Sequence, residues 1–220
     1  MTLMRIKEVT CHYCEQKSEQ MVMTSSNEQG SRDLDFRPAE MYRSTMDVWL
    51  KECPHCHFVS DDLGVKSAGF ETIPAAKYMS VLANSAYPSV ARKFLAYALI
   101  MEEENPEVAG YARLRAAWAC DDEQLNELAN QCRFKAVQTL IACTLRWPEE
   151  RQIDNNLVII DMLRRLGKFD VANDILSSFL MRDGLTEIIL NICQFQKALI
   201  ERREMGVYTV DDAVNHAALL

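Results

Sequence analysis

Cys11-His12-Tyr13-Cys14 and Cys53-Pro54-His55-Cys56 are the stretches whose reading decides the fold of the first third of this chain. Two residues between sulfur ligands let the backbone turn so that both sulfurs point at one ion, and two such turns complete a tetrahedral, all-cysteine set. Cys11, Cys14, Cys53 and Cys56 are therefore expected to hold zinc. Four thiolates leave no coordination position for water, so the ion is expected to be structural rather than catalytic. One C-x-x-C alone also fits a redox pair, and buried cysteines can simply be core; two pairs, the second containing Pro54, favour metal. His12, His55 and His57 flank the cysteines and are read as neighbours, because a complete set of thiolates needs no imidazole.

The segments leading into the pairs have strand character. Met4 to Thr10 reads as a short strand, Met21-Val22-Met23-Thr24 as another, and Ser44 to Glu52 alternates Met46, Val48 and Leu50 with Thr45, Asp47, Trp49 and Lys51. The last of these is expected to be a strand running straight into Cys53. A strand delivering the chain to each C-x-x-C turn is the layout of a zinc ribbon, and residues 1–70 are read as a zinc-ribbon-like module. Apparent zinc binding of about 10–16 kcal/mol rivals or exceeds the whole stability of a typical domain, so residues 1–60 are expected to need the metal to fold.

Between the pairs lies Gly30-Ser31-Arg32-Asp33-Leu34-Asp35-Phe36-Arg37-Pro38, with alternating charges and only Leu34 and Phe36 as apolar anchors. Arg32, Asp33, Asp35 and Arg37 allow two readings: a ligand-binding cluster, or an ion-paired loop that docks the metal module on the helices. The second is favoured, since charge clusters are usually structural or solvated.

The run from Ser31 to Met41, then Arg43-Ser44-Thr45-Met46, Trp49 and Cys53-Pro54-His55-Cys56, resembles bacterial proteins grouped as domain of unknown function 2225. The likeness covers residues 9–70 closely and the remainder loosely. It implies an N-terminal zinc-ribbon-like segment followed by TPR-like helices, without an assigned activity. Where such proteins commonly have Gly after the second Cys-Pro-x-Cys, this chain has His57. That position often demands left-handed backbone, which suits glycine best.

From Pro74 the apolar period changes to that of helices. Ala75 to Ala83 and Ser89 to Glu104 are expected helices, each opened by a proline; Asn105-Pro106-Glu107 is a cap, a first-turn proline and an acid at the positive end of the dipole of a third. Asp121-Asp122-Glu123 is read as opening the longest helix, to about Arg146. Asn155 to Leu166 and Asp170 to Met181 form a hairpin in which Gly167, Phe169, Ala172 and Leu176 resemble the turn and second helix of a TPR unit, though no second copy recurs at that period. Thr186 opens a helix to about Met205, and Thr209-Val210-Asp211-Asp212 a short terminal one, capped by Asp in place of the usual Glu. Cys120, Cys132, Cys143 and Cys193 are not spaced for metal and are read as core thiols. Glu102-Glu103-Glu104, Glu149-Glu150 and Arg202-Arg203 are read as solvated helix surface.

Composition narrows the function. The chain has 220 residues, 49% of them apolar, and a net charge of −8. Both parts are acidic: residues 1–70 carry 8 Lys and Arg against 11 Asp and Glu, and residues 71–220 carry 16 against 21. Nucleic-acid affinity depends mainly on neutralising phosphates, so this balance argues against such a partner. No signal-peptide-like opening and no membrane-length apolar run is visible, which points to a cytoplasmic protein with reduced thiols and no membrane partner. Neither a Ser/His/Asp order nor a phosphate-cradling glycine loop is recoverable, so an enzyme is not favoured. The expected fold class is α+β, mainly α: a zinc-ribbon-like β module over residues 1–70, then TPR-like antiparallel helical hairpins over 71–220. The expected role is a zinc-stabilised adaptor for a protein or peptide partner, with a small-ligand enzyme or sensor using the Arg32 to Arg37 loop as the alternative and nucleic-acid binding through the ribbon as the third.

Overall fold

The computed structural model describes residues 2–148 and 152–217, so the Glu149-Glu150 pair lies outside the described residues. The fold is mainly helical with small antiparallel hairpins near the N-terminus. Two compact units emerge: Met1–Glu28 with Glu40–Thr139, and Gln29–Ala39 with Leu140–Leu220. The first combines both cysteine pairs with the helices that follow them, whereas the division read from sequence at residue 70 marks the change from strand to helix.

In the first unit, β1 (Leu3–Thr10) pairs antiparallel with β2 (Lys17–Ser25), from Thr10 opposite Lys17 to Met4 opposite Met23. A second, minimal hairpin joins β3 (Lys51–Glu52) to β4 (Val59–Ser60). Each hairpin carries one C-x-x-C in its turn. The strand expected over Ser44 to Glu52 is mostly absent: Arg43–Val48 is a 3-10 helix, and only Lys51–Glu52 is extended. Thr45 explains the difference. Its hydroxyl donates to the Tyr42 carbonyl at 2.7 Å and accepts from the Trp49 indole at 2.8 Å, a local bonding pattern that competes with a strand ladder. A run of six residues in a 3-10 helix makes one turn every three residues, a period that the alternation of apolar residues by twos does not reveal.

Helices α1 (Ala68–Thr72), α2 (Ala75–Leu82), α3 (Ser89–Glu104) and α4 (Pro106–Asp122) follow, and α5 spans Asn126–Thr144. Prolines precede or open α2, α3 and α4, and the Asn105 side chain accepts from the Val108 amide at 3.3 Å, as the cap motif requires. α3 and α4 pack along each other, and Ala91 and Ala98 of the one and Ala109, Ala112 and Ala116 of the other are buried. Gly69 of α1 meets α3 still more closely: a Cβ there would lie 1.9 Å from the Ile100 carbonyl oxygen. The acidic run at Asp121 ends α4 rather than opening α5. The chain turns at Gln124, whose φ is +58°, Leu125 closes the turn by donating to the Cys120 carbonyl at 2.9 Å, and Asp121 faces the buried Arg133 at 2.5 Å.

The second unit contains α6 (Ile153–Arg165), α7 (Phe169–Leu180), α8 (Glu187–Glu201) and α9 (Val210–Ala217), packed as successive neighbours, together with the loop over residues 29–39. Gly167, at φ +68°, ends α6 while Lys168 donates to the Leu163 carbonyl at 2.9 Å, a left-handed helix stop. Phe169, Ala172 and Leu176 are buried as the hairpin reading expects. The terminal cap also forms with Asp in the usual Glu position: the Thr209 amide and hydroxyl both reach Asp212 Oδ2 at 2.7 Å, and the Asp212 amide returns to Thr209 Oγ1 at 3.1 Å. At the centre lies Arg164, fully buried. Its guanidinium reaches Asp161 at 2.6 Å, Gln196 at 2.9 Å, and the Glu204 and Gly206 carbonyls at 2.7 and 2.9 Å. Among the described residues, no helix is long and apolar enough to cross a membrane.

Candidate metal centre

The two C-x-x-C turns have the same backbone geometry. In the first, the Glu15 amide donates to the Cys11 carbonyl at 2.9 Å and the Cys11 amide to the Gln16 carbonyl at 3.0 Å. In the second, His57 donates to Cys53 at 2.9 Å and Cys53 to Phe58 at 2.9 Å. The residue after each pair is left-handed, Glu15 at φ +57° and His57 at φ +63°. This is the conformation for which glycine is the least strained choice, so His57 and Glu15 both occupy a position that costs an ordinary residue about 1–2 kcal/mol. His57 gains a partner there: its Nδ1 pairs with Glu52 Oε1 at 2.8 Å.

The sulfurs of Cys11, Cys14, Cys53 and Cys56 all lie within 4.8 Å of one another, with Cys11 to Cys56 and Cys14 to Cys53 each at 3.6 Å. Tetrahedral bonds of about 2.3 Å to a zinc ion put sulfurs about 3.8 Å apart, so the set fits a chelated metal. The backbone supplies amides to the sulfurs: Gln16 to Cys14, Phe58 to Cys56, and His55 and Cys56 to Cys53. Burial raises the Cys53 thiol, but these amides and the neighbouring thiols outweigh it and bring it down to about 7. Burial and the surrounding sulfurs push Cys56 well above the usual thiol range, and Cys14 is raised too: the Gln16 amide lowers it, but burial and the Cys53 thiol outweigh that. Four mutually repelling sulfurs ionise together only when a cation is there to take the charge. Cys11 and Cys53 are fully buried, and no histidine or carboxylate joins the cluster among the described residues.

An aromatic cluster that sequence reasoning missed supports the turns. Tyr13, inside the first pair, meets Phe58 at 4.8 Å and Phe70 at 4.7 Å between ring centroids; Phe58 meets Phe70 at 4.8 Å, and Phe70 meets Tyr78 at 5.2 Å. Two tyrosine hydroxyls are inserted into the backbone. Tyr13 donates to the Ser67 carbonyl and accepts from the Ser67 amide; Tyr78 donates to the His57 carbonyl at 2.9 Å and accepts from the Val59 amide at 3.1 Å. Burial raises both phenols. Aromatic residues at Tyr13 and Phe58, within or just after a cysteine pair, were the available signal.

The loop residues Arg32, Asp33, Asp35 and Arg37 belong to the second unit, and the four cysteines to the first. Asp33, Asp35 and Arg37 are buried and Arg32 is exposed. Asp35 Oδ1 accepts from the Arg37 amide at 3.2 Å, while Oδ2 pairs with Arg165 at 3.1 Å. The loop is stitched to the segment before α9: Leu34 donates to the Tyr208 carbonyl and Val210 to the Arg32 carbonyl, both at 2.9 Å. Compared with family models, curated proteins and solved structures, the chain matches none of them.

Proposed function

We propose that this chain is a zinc-structured adaptor that holds a protein or peptide segment on its second unit. The closed set of four thiols supports a structural zinc, because its sulfur spacing suits a tetrahedral ion and leaves no site for a reacting ligand. The loop from Arg32 to Arg37 is taken as an ion-paired clasp rather than a ligand site, on the burial of Asp33, Asp35 and Arg37 and the pairing of Asp35 with Arg165. TPR-like character, and with it the likeness to domain of unknown function 2225, rests on the Gly167 to Leu176 hairpin and the Cys-Pro-x-Cys segment.

The observation that carries the reading is a groove of about 250 Å³ on α6 and α7, lined by Asn156, Asp174, Ile175, Ser178, Phe179 and Arg182. An apolar floor with an amide, an acid and a guanidinium around it matches the mixed chemistry of a peptide backbone and its side chains. The net charge of −8 weighs against nucleic acid. Native purification tests both parts. One zinc per chain is expected, with a co-purifying protein that is lost from the paired variant Ile175→Asp and Arg182→Glu while helicity is retained. A partner that stays bound to the groove variant, or turnover of a small molecule by the purified chain without any partner, contradicts the adaptor.

A further inference from the structure

Arg92 and Lys93 stand within the first five residues of α3, near the positive end of its dipole, and no acid occupies that first turn. Cations there oppose the dipole instead of complementing it. With Lys51, which opens β3, they line one cavity of about 490 Å³ that lies entirely within the first unit. Its size is that of a small-molecule site. Each of the three cations is tethered by backbone oxygen. Arg92 Nη1 donates to the Leu82 carbonyl at 2.8 Å, Lys93 Nζ to the Asp47 and Leu50 carbonyls at 2.7 and 3.4 Å, and Lys51 Nζ to the Asp61 carbonyl at 2.5 Å. Arg92 Nε is enclosed with no acceptor. Among the described residues, none of the three pairs with a carboxylate. Two acids share the wall, but Glu52 is engaged by His57 at 2.8 Å and Asp47 is exposed. Carbonyl dipoles hold the cations in position without neutralising them, whereas a charge withdrawn from water is ordinarily matched by an opposite one. Lys93 shows the consequence: burial holds its ammonium below the ordinary range, against the longer-range pull of Asp47 and Glu52.

We propose that this cavity binds a small phosphate monoester, its phosphoryl group held by Arg92, Lys93 and Lys51. A phosphoryl group suits the arrangement better than a carboxylate because it spreads about two negative charges over three terminal oxygens. Donors arriving from both β3 and α3 can then each take an oxygen, while a carboxylate offers two in one plane. The cavity is larger than a phosphate ion, and its remaining polar groups suit hydroxyls. Gln20 already commits its amide nitrogen to Ser18 Oγ at 3.0 Å and the Glu52 carbonyl at 3.2 Å, which leaves its oxygen as an acceptor, and Ser89 adds an exposed hydroxyl. A phosphorylated sugar or polyol matches both ends.

Titration of the full, zinc-loaded chain with ribose 5-phosphate at fixed ionic strength tests the site. Saturable binding of one molecule per chain is expected, with inorganic phosphate competing and with ribose and succinate each about 10-fold weaker or more. Arg92→Gln and Lys51→Gln are each expected to weaken binding about 10-fold or more, the usual loss for a charge-assisted contact, with helicity and zinc content unchanged. Lysine acetylation read by mass spectrometry makes the test independent of whether the variants fold. In the wild-type chain, ribose 5-phosphate is expected to slow acetylation of Lys51 and Lys93 and to leave the exposed Lys77 unaffected. Absence of saturable binding by either phosphate compound at millimolar concentration overturns the proposal. Succinate that binds as tightly as the ester overturns the phosphoryl assignment. Equal protection of Lys77, or affinity unchanged in both variants, puts the ligand elsewhere and overturns the site.

Discussion

The two units hold irregular chain in place by opposite chemistries. The first gathers four thiols from two short hairpins, a set that becomes cohesive only with a cation at its centre. The second anchors its loop and helix ends on buried guanidinium groups: Arg164 collects Asp161, Gln196 and two carbonyls, and Arg165 collects Asp35. A bound metal adds stability that depends on free ion concentration, whereas an internal arginine brings its charge with it. The lesson is that a chain with few strands can fix long excursions by either kind of polar hub, but only the first kind can be removed by a chelator.

Chelation is therefore the strongest way to break the comparison. Stripping the metal is expected to unfold β1, β2 and both cysteine turns, since about 10–16 kcal/mol of apparent binding disappears. Amide exchange measured by fragment should then show full exposure over residues 3–25 and 51–60, with α6 to α9 still protected. Equal loss of protection in α6 to α9 would mean that the second unit also depends on the metal.

Arg164→Ala is the matching experiment in the second unit and the next largest effect. It leaves Asp161 buried without its cation and removes donors from the Glu204 and Gly206 carbonyls. A loss of about 3–5 kcal/mol is expected, the usual result of breaking a buried ion pair on one side. Urea unfolding of the metal-bound protein, followed by fragment exchange over residues 153–217, checks it. An unchanged midpoint would show that the helices, rather than the guanidinium hub, position the ends.

The unequal legibility of the two hubs has a physical basis. The cluster of four cysteines could be read because both members of each pair are local, so spacing alone carries the geometry. Caps at Asn105 and Thr209 and the stop at Gly167 were readable for the same reason. Arg164 could not be read: it sits in a helix among other charged residues, and its partners Gln196, Glu204 and Gly206 are 32 to 42 residues away. The short helix around Thr45 is hidden in the sequence because apolar alternation by twos points to a strand, while the Thr45 hydroxyl bonds that favour the turn leave no apolar pattern. Glu104 is exposed, as a solvated surface residue should be, and also accepts from the Ser67 hydroxyl at 2.7 Å and the Gly69 amide at 3.2 Å, contacts that local spacing does not announce because Ser67 and Gly69 are distant in sequence.

Metal-independent contacts within the first unit sharpen the contrast further. Gly69→Ala places a methyl group against the Ile100 carbonyl, where backbone must move to admit it. The expected cost is about 1–3 kcal/mol, the range for overpacking a filled interface. Thermal unfolding at saturating zinc should show it, and metal affinity measured by competition should change little if α1 packs independently of the sulfur cluster. A fall in affinity parallel to the fall in stability would show that the aromatic cluster around Phe70 transmits strain to the turns.

The smallest effect concerns the carboxylate that caps α1. The Ser67 hydroxyl is the main cause holding the Glu104 carboxyl below its usual range; the Gly69 and Ala68 amides add to it, and partial burial opposes it. A carboxylate with a depressed folded value contributes stability that is complete above its unfolded value, about 4.3, and that fades as pH falls through the lower folded value. Glu104→Gln is thus expected to cost about 0.5–1 kcal/mol at neutral pH, as for other exposed helix caps, and progressively less in acid below that unfolded value. The comparison is made at saturating zinc from neutral pH downward through the window below about 4.3, where the difference is expected to shrink, with bound zinc measured at each step. A difference that is constant across the whole range would assign the effect to the shape of the side chain rather than its charge.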